Sequence, residues 1–511
     1  MTLAETGKVY LVGAGPGDPR LITLRGIEVL TQADLILYDG LVNPLILRHS
    51  SAHAERTARI NDKGHRVLDQ DAINQRMIEA AKEGKIVVRL KGGDPFIFGR
   101  GSEEAHALAR EKIPFEIVPG VTAAVGCAEY AGVSLTHRDF ASSVAFITGH
   151  EDPSKPESNL DYHALSQFPG TLVFYMGLHR APLIADQLLQ AHKDPKTRCI
   201  VISRGTTPFQ ICVEAELHEL SEKIKASALV PPSLLIIGDA LEGRDMINWF
   251  EQKPLFGQTI AITRALEQVD VQMEMALDLG AHPVLMPMID IEPCAETADM
   301  QRAVSSLQDY QGIVFTSING IETFMDYLWQ QGLDSRALSH VKFACIGPST
   351  AEKLEAYHLR ADIVPTSYRS EALAEMMVTH KEITHWLWPR ANRGRDIIIE
   401  TCQSMGMKVD PVVFYEHHDL ESLPDEALKL LEKEQLHWVP LSSPAIARQF
   451  AKLLPEWAKA QVGKNLKIVC ISPVTSAAAR ESGLEVTAEA TNHTWQGIFD
   501  EIKHHYQKQE E

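Results

Sequence analysis

Glycines 92, 93, 99 and 101 surround an aspartate in Gly92-Gly93-Asp94-Pro95-Phe96-Ile97-Phe98-Gly99-Arg100-Gly101, directly after the apolar run Ile86-Val87-Val88-Arg89-Leu90. This pattern predicts a strand that runs into a glycine-dense loop and then a helix opening near Ser102-Glu103-Glu104. That is where α/β sheets put small ligands, at the carboxyl ends of strands. Glycines let the backbone approach a ligand without Cβ interference, and Asp94 offers an acceptor. Such a loop suits a cationic or hydroxyl-bearing ligand better than a phosphate. A second loop, Gly13-Ala14-Gly15-Pro16-Gly17-Asp18-Pro19, follows Val9-Tyr10-Leu11-Val12. It begins like the dinucleotide fingerprint, but Asp18 holds the third glycine position and Pro16 removes an N–H that a pyrophosphate would need. Alone, this second loop is read equally well as a tight turn; the pair favours a site.

Three single residues have a structural reading when taken alone. Asp39 closes Leu35-Ile36-Leu37-Tyr38 and reads as a helix cap. Tyr415, after Val412-Val413-Phe414, has a core role as its default, with the hydroxyl satisfied. Met176 alone is also read as core. The seven cysteines are scattered without CxxC pairs, which argues against a disulfide framework, a zinc ribbon or an iron–sulfur cluster. His417-His418 and His504-His505 lack the spacing of a helical metal pair, so no metal is expected.

The elements that must position these residues alternate. Strands are expected near 8–13, 33–38, 85–90 and 115–118, with helices at Gln70–Lys82 and Ser102–Lys112, an α/β pattern with a largely parallel sheet. The polar segment Glu151-Asp152-Pro153-Ser154-Lys155-Pro156-Glu157 reads as a linker into a second, strand-rich lobe, with the ligand cleft between the lobes. A stronger break follows Gly238: residues 242–257 read as a tolerant linker, and a fresh strand opens at Thr259. The second half carries a weak repeat. Phe343–Ala351 returns as Ile468–Ser476 and Val314–Ile318 as Val439–Ser443, both at 125 residues, which implies two similar α/β lobes.

At 511 residues the chain is long enough for two to four domains. Its 45% hydrophobic and 23% charged residues are those of a soluble globular protein, with no apolar run long enough for a bilayer. No signal peptide is evident at Met1-Thr2-Leu3-Ala4-Glu5, so a cytoplasmic location is expected. A net charge of −19 disfavours nucleic acid and anionic membranes as partners.

Val12–Pro19, Leu37-Tyr38-Asp39, Val88–Pro95, Val118–Ala123, Leu135–Arg138, Thr148-Gly149-His150, Val173–Gly177, Ser203–Thr206 and Pro231–Gly238 follow one another in the order of the tetrapyrrole methylases. Over residues 6–245 the chain most resembles uroporphyrinogen-III C-methyltransferases. The resemblance implies a two-lobed methylase over residues 1–245, a homodimer formed through that half, and S-adenosylmethionine as cofactor. It assigns cofactor contacts to Pro16, Gly92, Gly93, Asp94, Ile97, Thr122, Ala123, Met176 and Gly205, and proton acceptance to Asp39. The family's lysine, its proton donor, falls at Asn61, which cannot serve as an acid. Lys63 lies nearby, but a shift of two residues would change its direction.

Residues 255–511 resemble uroporphyrinogen-III synthase through Ile262–Ala265, Phe315–Gly320, Ile346-Gly347-Pro348, Pro389-Arg390-Ala391, Val413-Phe414-Tyr415 and Ser442-Ser443. This implies a second two-lobed α/β domain that cyclises hydroxymethylbilane to uroporphyrinogen III. Tyr415 would assist departure of the leaving group, and Arg264, Thr316, Ser317, Ser442 and Thr475 would face substrate. Two alternatives stay open: a noncatalytic tetrapyrrole-binding module in the second half, and a methylase of a later precorrin.

Overall fold

The structure, a computed structural model, describes residues 7–57, 70–149, 160–241 and 243–510. The chain divides into two compact units: Met1–Gln258 with Ala276–His282, and Thr259–Met275 with Pro283–Glu511.

In the first unit, β1 (Val9–Gly13), β2 (Leu35–Tyr38), β3 (His53–Arg56), β4 (Val87–Lys91) and β5 (Phe115–Val118) form one sheet in the order β3-β2-β4-β1-β5. All its pairings are parallel, so the carboxyl ends of the strands share one edge. β1 and β4 are buried along their whole length, which is why β1 reads as a continuous apolar run rather than an alternating one. β3 escapes a reading by hydrophobic pattern, because His53-Ala54-Glu55-Arg56 is a polar edge strand. Helices lie at Gln70–Lys82 and Gly101–Arg110.

The second lobe holds β6 (Val144–Thr148), β7 (Thr171–Tyr175), β8 (Arg198–Ser203), β9 (Ile211–Glu216) and β10 (Ser233–Ile237), ordered β6-β7-β10-β8-β9. Only β6 and β7 pair in parallel. The segment after it is no loose tether. Arg244 Nε donates to the Ala131 carbonyl at 2.7 Å and Trp249 Nε1 to that of Glu129 at 3.2 Å. Phe250 is buried, its ring 4.7 Å from Tyr130. Residues 244–250 therefore pack as part of the first unit, which moves any tolerant linker beyond Phe250.

The second unit contains two sheets. β11 (Thr259–Ile262), β12 (His282–Leu285), β18 (Trp438–Leu441), β19 (Lys467–Cys470) and β20 (Ala488–Glu489) run in the order β12-β11-β18-β19-β20. β13 (Ile289–Pro293), β14 (Gly312–Phe315), β15 (Lys342–Cys345), β16 (His385–Ala391) and β17 (Lys408–Asp419) run in the order β13-β17-β16-β14-β15. The repeat is present with one correction. β15 and β19 each lead into a helix, Pro348–Glu355 and Pro473–Glu481, 125 residues apart (348 to 473). The helices after β14 and β18 are capped by Ser317 and Ser443, whose backbones agree (φ −161°, ψ 159° and φ −160°, ψ 161°). That pair is offset by 126 residues (317 to 443). Ser442 is thus the counterpart of Thr316, one residue before the cap.

Candidate active sites

Three loops meet backbone to backbone at the carboxyl edge of the first sheet. Gly15 and Gly93 exchange both their N–H and C=O groups, at 2.7 and 3.2 Å. A Cβ on Gly120 would lie 2.4 Å from the Gly93 oxygen and 2.7 Å from the Gly13 Cα, so only glycine allows this approach. The Gly93 N–H is therefore committed between the loops, and its carbonyl keeps one lone pair beyond the bond to Gly15. Asp94 is likewise structural in part. One of its oxygens accepts from the Phe96 N–H at 2.8 Å and the other from the Gly120 N–H at 3.0 Å, tying the loop after β4 to the loop after β5.

Asp39 stands one strand over. Its Oδ1 accepts from the Leu41 N–H (2.9 Å) and its Oδ2 from the Gly92 N–H (3.2 Å). Two amide donors hold the carboxylate and leave a lone pair on each oxygen. Asp39 is half-buried, so its free lone pairs can meet a substrate.

Thr122 and Ala123 open the helix Ala123–Tyr130 beside Gly93. Thr122 Oγ1 lies 2.6 Å from the Tyr175 hydroxyl, which also accepts the Ala124 N–H at 3.0 Å. Burial pushes the Tyr175 phenol up and keeps it neutral. Its ring meets Phe98 at 4.9 Å, and the next residue, Met176, is 51% exposed with a left-handed backbone (φ 57°). Contrary to the single-residue reading, Met176 is no core side chain; with the partly exposed Ile97 it offers an open apolar surface. Pro16 and Gly205 flank the same helix: Pro16 lies against Gly126, and a Cβ on Gly205 would sit 2.5 Å from Cys127 Sγ. Gly205 is buried, so close packing is its visible role.

In the second unit, Ser317 caps the helix Ile318–Gln330 through the Gly320 N–H (3.0 Å), and its Oγ lies 2.6 Å from the Tyr415 hydroxyl. Tyr415 is buried, and burial pushes its phenol up, partly opposed by Ser317 and by the Arg390 charge. Ser317 is the half-exposed member of the pair. Arg390 stacks over Trp388, Cζ 4.2 Å from the ring centre, and donates to Asp396 (2.5 Å) and to the Gly394 carbonyl (3.0 Å). Trp388 Nε1 in turn donates to Thr316 Oγ1 at 3.2 Å. Arg264 donates to Gln268, and Gln268 to Asn319 at 2.8 Å, which brings the end of β11 to the start of the capped helix. The adjacent Thr263 donates to the Pro440 carbonyl at 2.6 Å, two residues before Ser442. Thr475 is buried beside the Ser472 hydroxyl (3.2 Å), inside the cap of its own helix. Arg264, Thr316, Ser317 and Tyr415 thus form one connected group; Ser442 adjoins it, and Thr475 stands apart.

Sequence reasoning gave no role to Tyr175, Arg390, or the buried Arg89, Lys91 and Glu104. A signal existed for the charged trio, because two cations alternating in an otherwise apolar strand share one face. Asn61, Lys63, His150 and the segment 151–157 lie outside the described residues.

Comparison with known proteins follows this division. Residues 8–221 match the tetrapyrrole (corrin/porphyrin) methylases, and residues 273–500 match uroporphyrinogen-III synthase HemD. The porphyrin biosynthesis protein HemD of Ruminiclostridium josui is 34% identical over 490 residues, covering 95% of this chain and 96% of its own. Uroporphyrinogen-III C-methyltransferase of Bacillus subtilis (strain 168) is 37% identical over 337 residues, 66% of this chain and 69% of the relative. Among solved structures, uroporphyrin-III C-methyl transferase from Thermus thermophilus complexed with S-adenyl homocysteine is 36% identical, with a TM-score of 0.40, covering 46% of this chain and 98% of that one. A relative matched nearly end to end, with a different family in each half, decides the assignment: the chain belongs to the porphyrin-biosynthesis fusions that join a tetrapyrrole methylase to a uroporphyrinogen-III synthase.

Proposed function

We propose that the chain makes uroporphyrinogen III from hydroxymethylbilane and methylates it at C-2 and C-7 to precorrin-2, toward siroheme or cobalamin-type cofactors. The observation that carries the reading is the coincidence, in each unit, of a strand-end cluster of reactive side chains with the matching family. S-adenosylmethionine would supply an electrophilic methyl group. The residues fit such a cofactor: Ile97 and Met176 present open apolar surface, and the Gly93 and Thr122–Ala123 backbones leave no side chain in the way. The protein's work is alignment, exclusion of water, and removal of the ring proton. Asp39 takes that proton on a carboxylate already held by two amides.

Cyclisation requires loss of hydroxide from the bilane and attachment of ring D in inverted orientation. Burial pushes the Tyr415 phenol up, so the hydroxyl is protonated and able to donate a hydrogen bond toward the site. Since Tyr415 is buried and Ser317 is half-exposed, the proton reaches the departing hydroxide through the serine hydroxyl and leaves as water. The proton lost by the attacking pyrrole carbon restores the balance. Arg264, which follows β11 and is tied through Gln268 to Asn319, would hold substrate carboxylate.

The reading includes a cytoplasmic location and a homodimer formed through the methylase half, whose exposed Phe140 and Phe146 would be covered by such pairing. Among the described residues, no helix is long and apolar enough to cross a membrane. Incubating the chain with uroporphyrinogen III and S-adenosylmethionine tests the methylase arm: a doubly methylated product supports it, and unaltered substrate refutes it.

A further inference from the structure

Of the two histidines at the end of β17, one ring is engaged and the other is not. Residues 415, 417 and 419 share one face of the strand, and 416 and 418 the other. On the second face His418 Nε2 lies 3.3 Å from a Glu416 oxygen and 3.9 Å from one of Glu292. His417 stands instead beside Tyr415, with the ring centres 5.4 Å apart. Asn392 pins both residues: its N–H donates to the Tyr415 carbonyl at 3.1 Å, and its Oδ1 accepts from the His417 N–H at 3.0 Å. The His417 side chain is half-buried, and among the described residues neither of its ring nitrogens has a hydrogen-bond partner.

That open imidazole answers a need of the cyclisation. The ring D carbon that carries hydrogen in the bilane ends bonded to carbon, so its C–H bond breaks whatever the order of the other steps, and a base must take the proton. Two carboxylates near the Ser317–Tyr415 pair are occupied: Asp396 accepts from Arg390 at 2.5 Å and Asp419 from Arg393 at 2.7 Å. An arginine partner makes each the weaker base. His417 is in its neutral form at pH 7. Burial and the Arg393 charge hold its imidazolium below the usual histidine range, with Asp419 opposing them and His418 adding to them, and β13 sets the apolar Ile291 opposite it. A neutral imidazole carries one bare nitrogen. Modest basicity is enough, because a pyrrole carbon that bears both hydrogen and a new carbon bond is cationic and acidic.

We propose that His417 is the base that removes this proton, a further catalytic residue beside the Ser317–Tyr415 pair; the proposal rests on the cyclisation reading. The carbon–oxygen bond of the hydroxymethyl group breaks, and the oxygen leaves as water with a proton from the relay. A carbon–carbon bond closes the macrocycle, the ring D C–H bond breaks, its electron pair restores the pyrrole, and the proton goes to the bare nitrogen of His417. Water then carries a proton from the imidazolium to the relay. The sum is bilane to macrocycle plus water, with no other reactant.

The test follows formation of the type III isomer by the full chain, across pH, from hydroxymethylbilane with hydrogen or deuterium on that ring D carbon. His417→Gln should lower the rate about a hundredfold, the lower end for general-base catalysis, while melting temperature and methylation of supplied uroporphyrinogen III are kept. Deuterium should slow His417→Gln more than it slows the wild type, because proton removal has become limiting. The wild-type rate should fall below about pH 6.5, as the imidazole takes up a proton, and His417→Gln should lack that acid limb. His418→Gln, on the opposite face, should behave as the wild type does. A His417→Gln chain at the wild-type rate overturns the proposal, and so does one that is slowed but keeps the wild-type isotope effect and acid limb, as loss of a merely structural side chain would give. A wild type that forms only the type I isomer overturns the cyclisation reading itself, so the two failures are distinct.

Discussion

At the scale of residues, Asp94 and the Ser317–Tyr415 pair make the most direct predictions. Asp94 joins two loops through two amide hydrogen bonds, so Asp94→Ala should loosen the wall of the cofactor site. Loss of charge-assisted bonds of this kind costs about 1.5–3 kcal/mol. S-adenosylmethionine affinity, measured by calorimetry, is expected to fall by about that amount, and cyclisation to stay intact; unchanged affinity would refute the role. Ser317 and Tyr415 share one hydrogen bond and, in the relay, one proton. Tyr415→Phe and Ser317→Ala should each slow formation of the type III isomer, and the double variant should be no slower than the worse single one. Additive losses would mean that the two act separately. The residue types in these sites were readable from sequence, but their partners were not. Asp94 was recognised as an acceptor, yet nothing in its loop announces that the Gly120 N–H, 26 positions away, takes one of its oxygens.

Elements explain why the glycines matter. At Gly120 the clash of an added Cβ is with backbone, the Gly93 oxygen at 2.4 Å, and backbone cannot rotate away as a side chain would. Gly120→Ala should therefore push the loops after β1, β4 and β5 apart, at a cost of about 1–3 kcal/mol, the range for overpacking. Methylation should fall well beyond the drop in melting temperature, while cyclisation persists; retained methylation would show that the three-loop contact is dispensable. The buried strands β1 and β4 were legible because both faces are covered. β3 was not, because an edge strand of His, Ala, Glu and Arg has no apolar signature. The repeat in the second unit was legible to within one residue. Pro440 interrupts the likeness of β18 to β14, so matching residue types slides the pairing by one, and in a strand one residue is the difference between opposite faces. Capping geometry restores the register by equating Ser317 with Ser443.

For the whole molecule, the position of the break after the methylase decides how it can be divided. Phe250 is buried against Tyr130, and Trp249 and Arg244 bond to the carbonyls of residues 129 and 131. A fragment ending at 245 loses Trp249 and Phe250, and removal of a buried phenylalanine costs about 3–5 kcal/mol. Residues 1–258 should accordingly unfold at higher urea than residues 1–245; equal midpoints would return 244–250 to the status of a linker. A net charge of −19 in a chain proposed to bind polycarboxylate substrates also places the burden of recognition on local cations such as Arg264 rather than on the overall field.

The central claim is that one chain performs both steps. Incubation of the purified chain with hydroxymethylbilane, with and without S-adenosylmethionine, followed by identification of the isomer and its methyl groups, tests it most directly. The account predicts uroporphyrinogen III without the cofactor and precorrin-2 with it. The type I isomer alone, as spontaneous closure gives, would contradict the synthase half, and a type III product that gains no methyl group would contradict the methylase half.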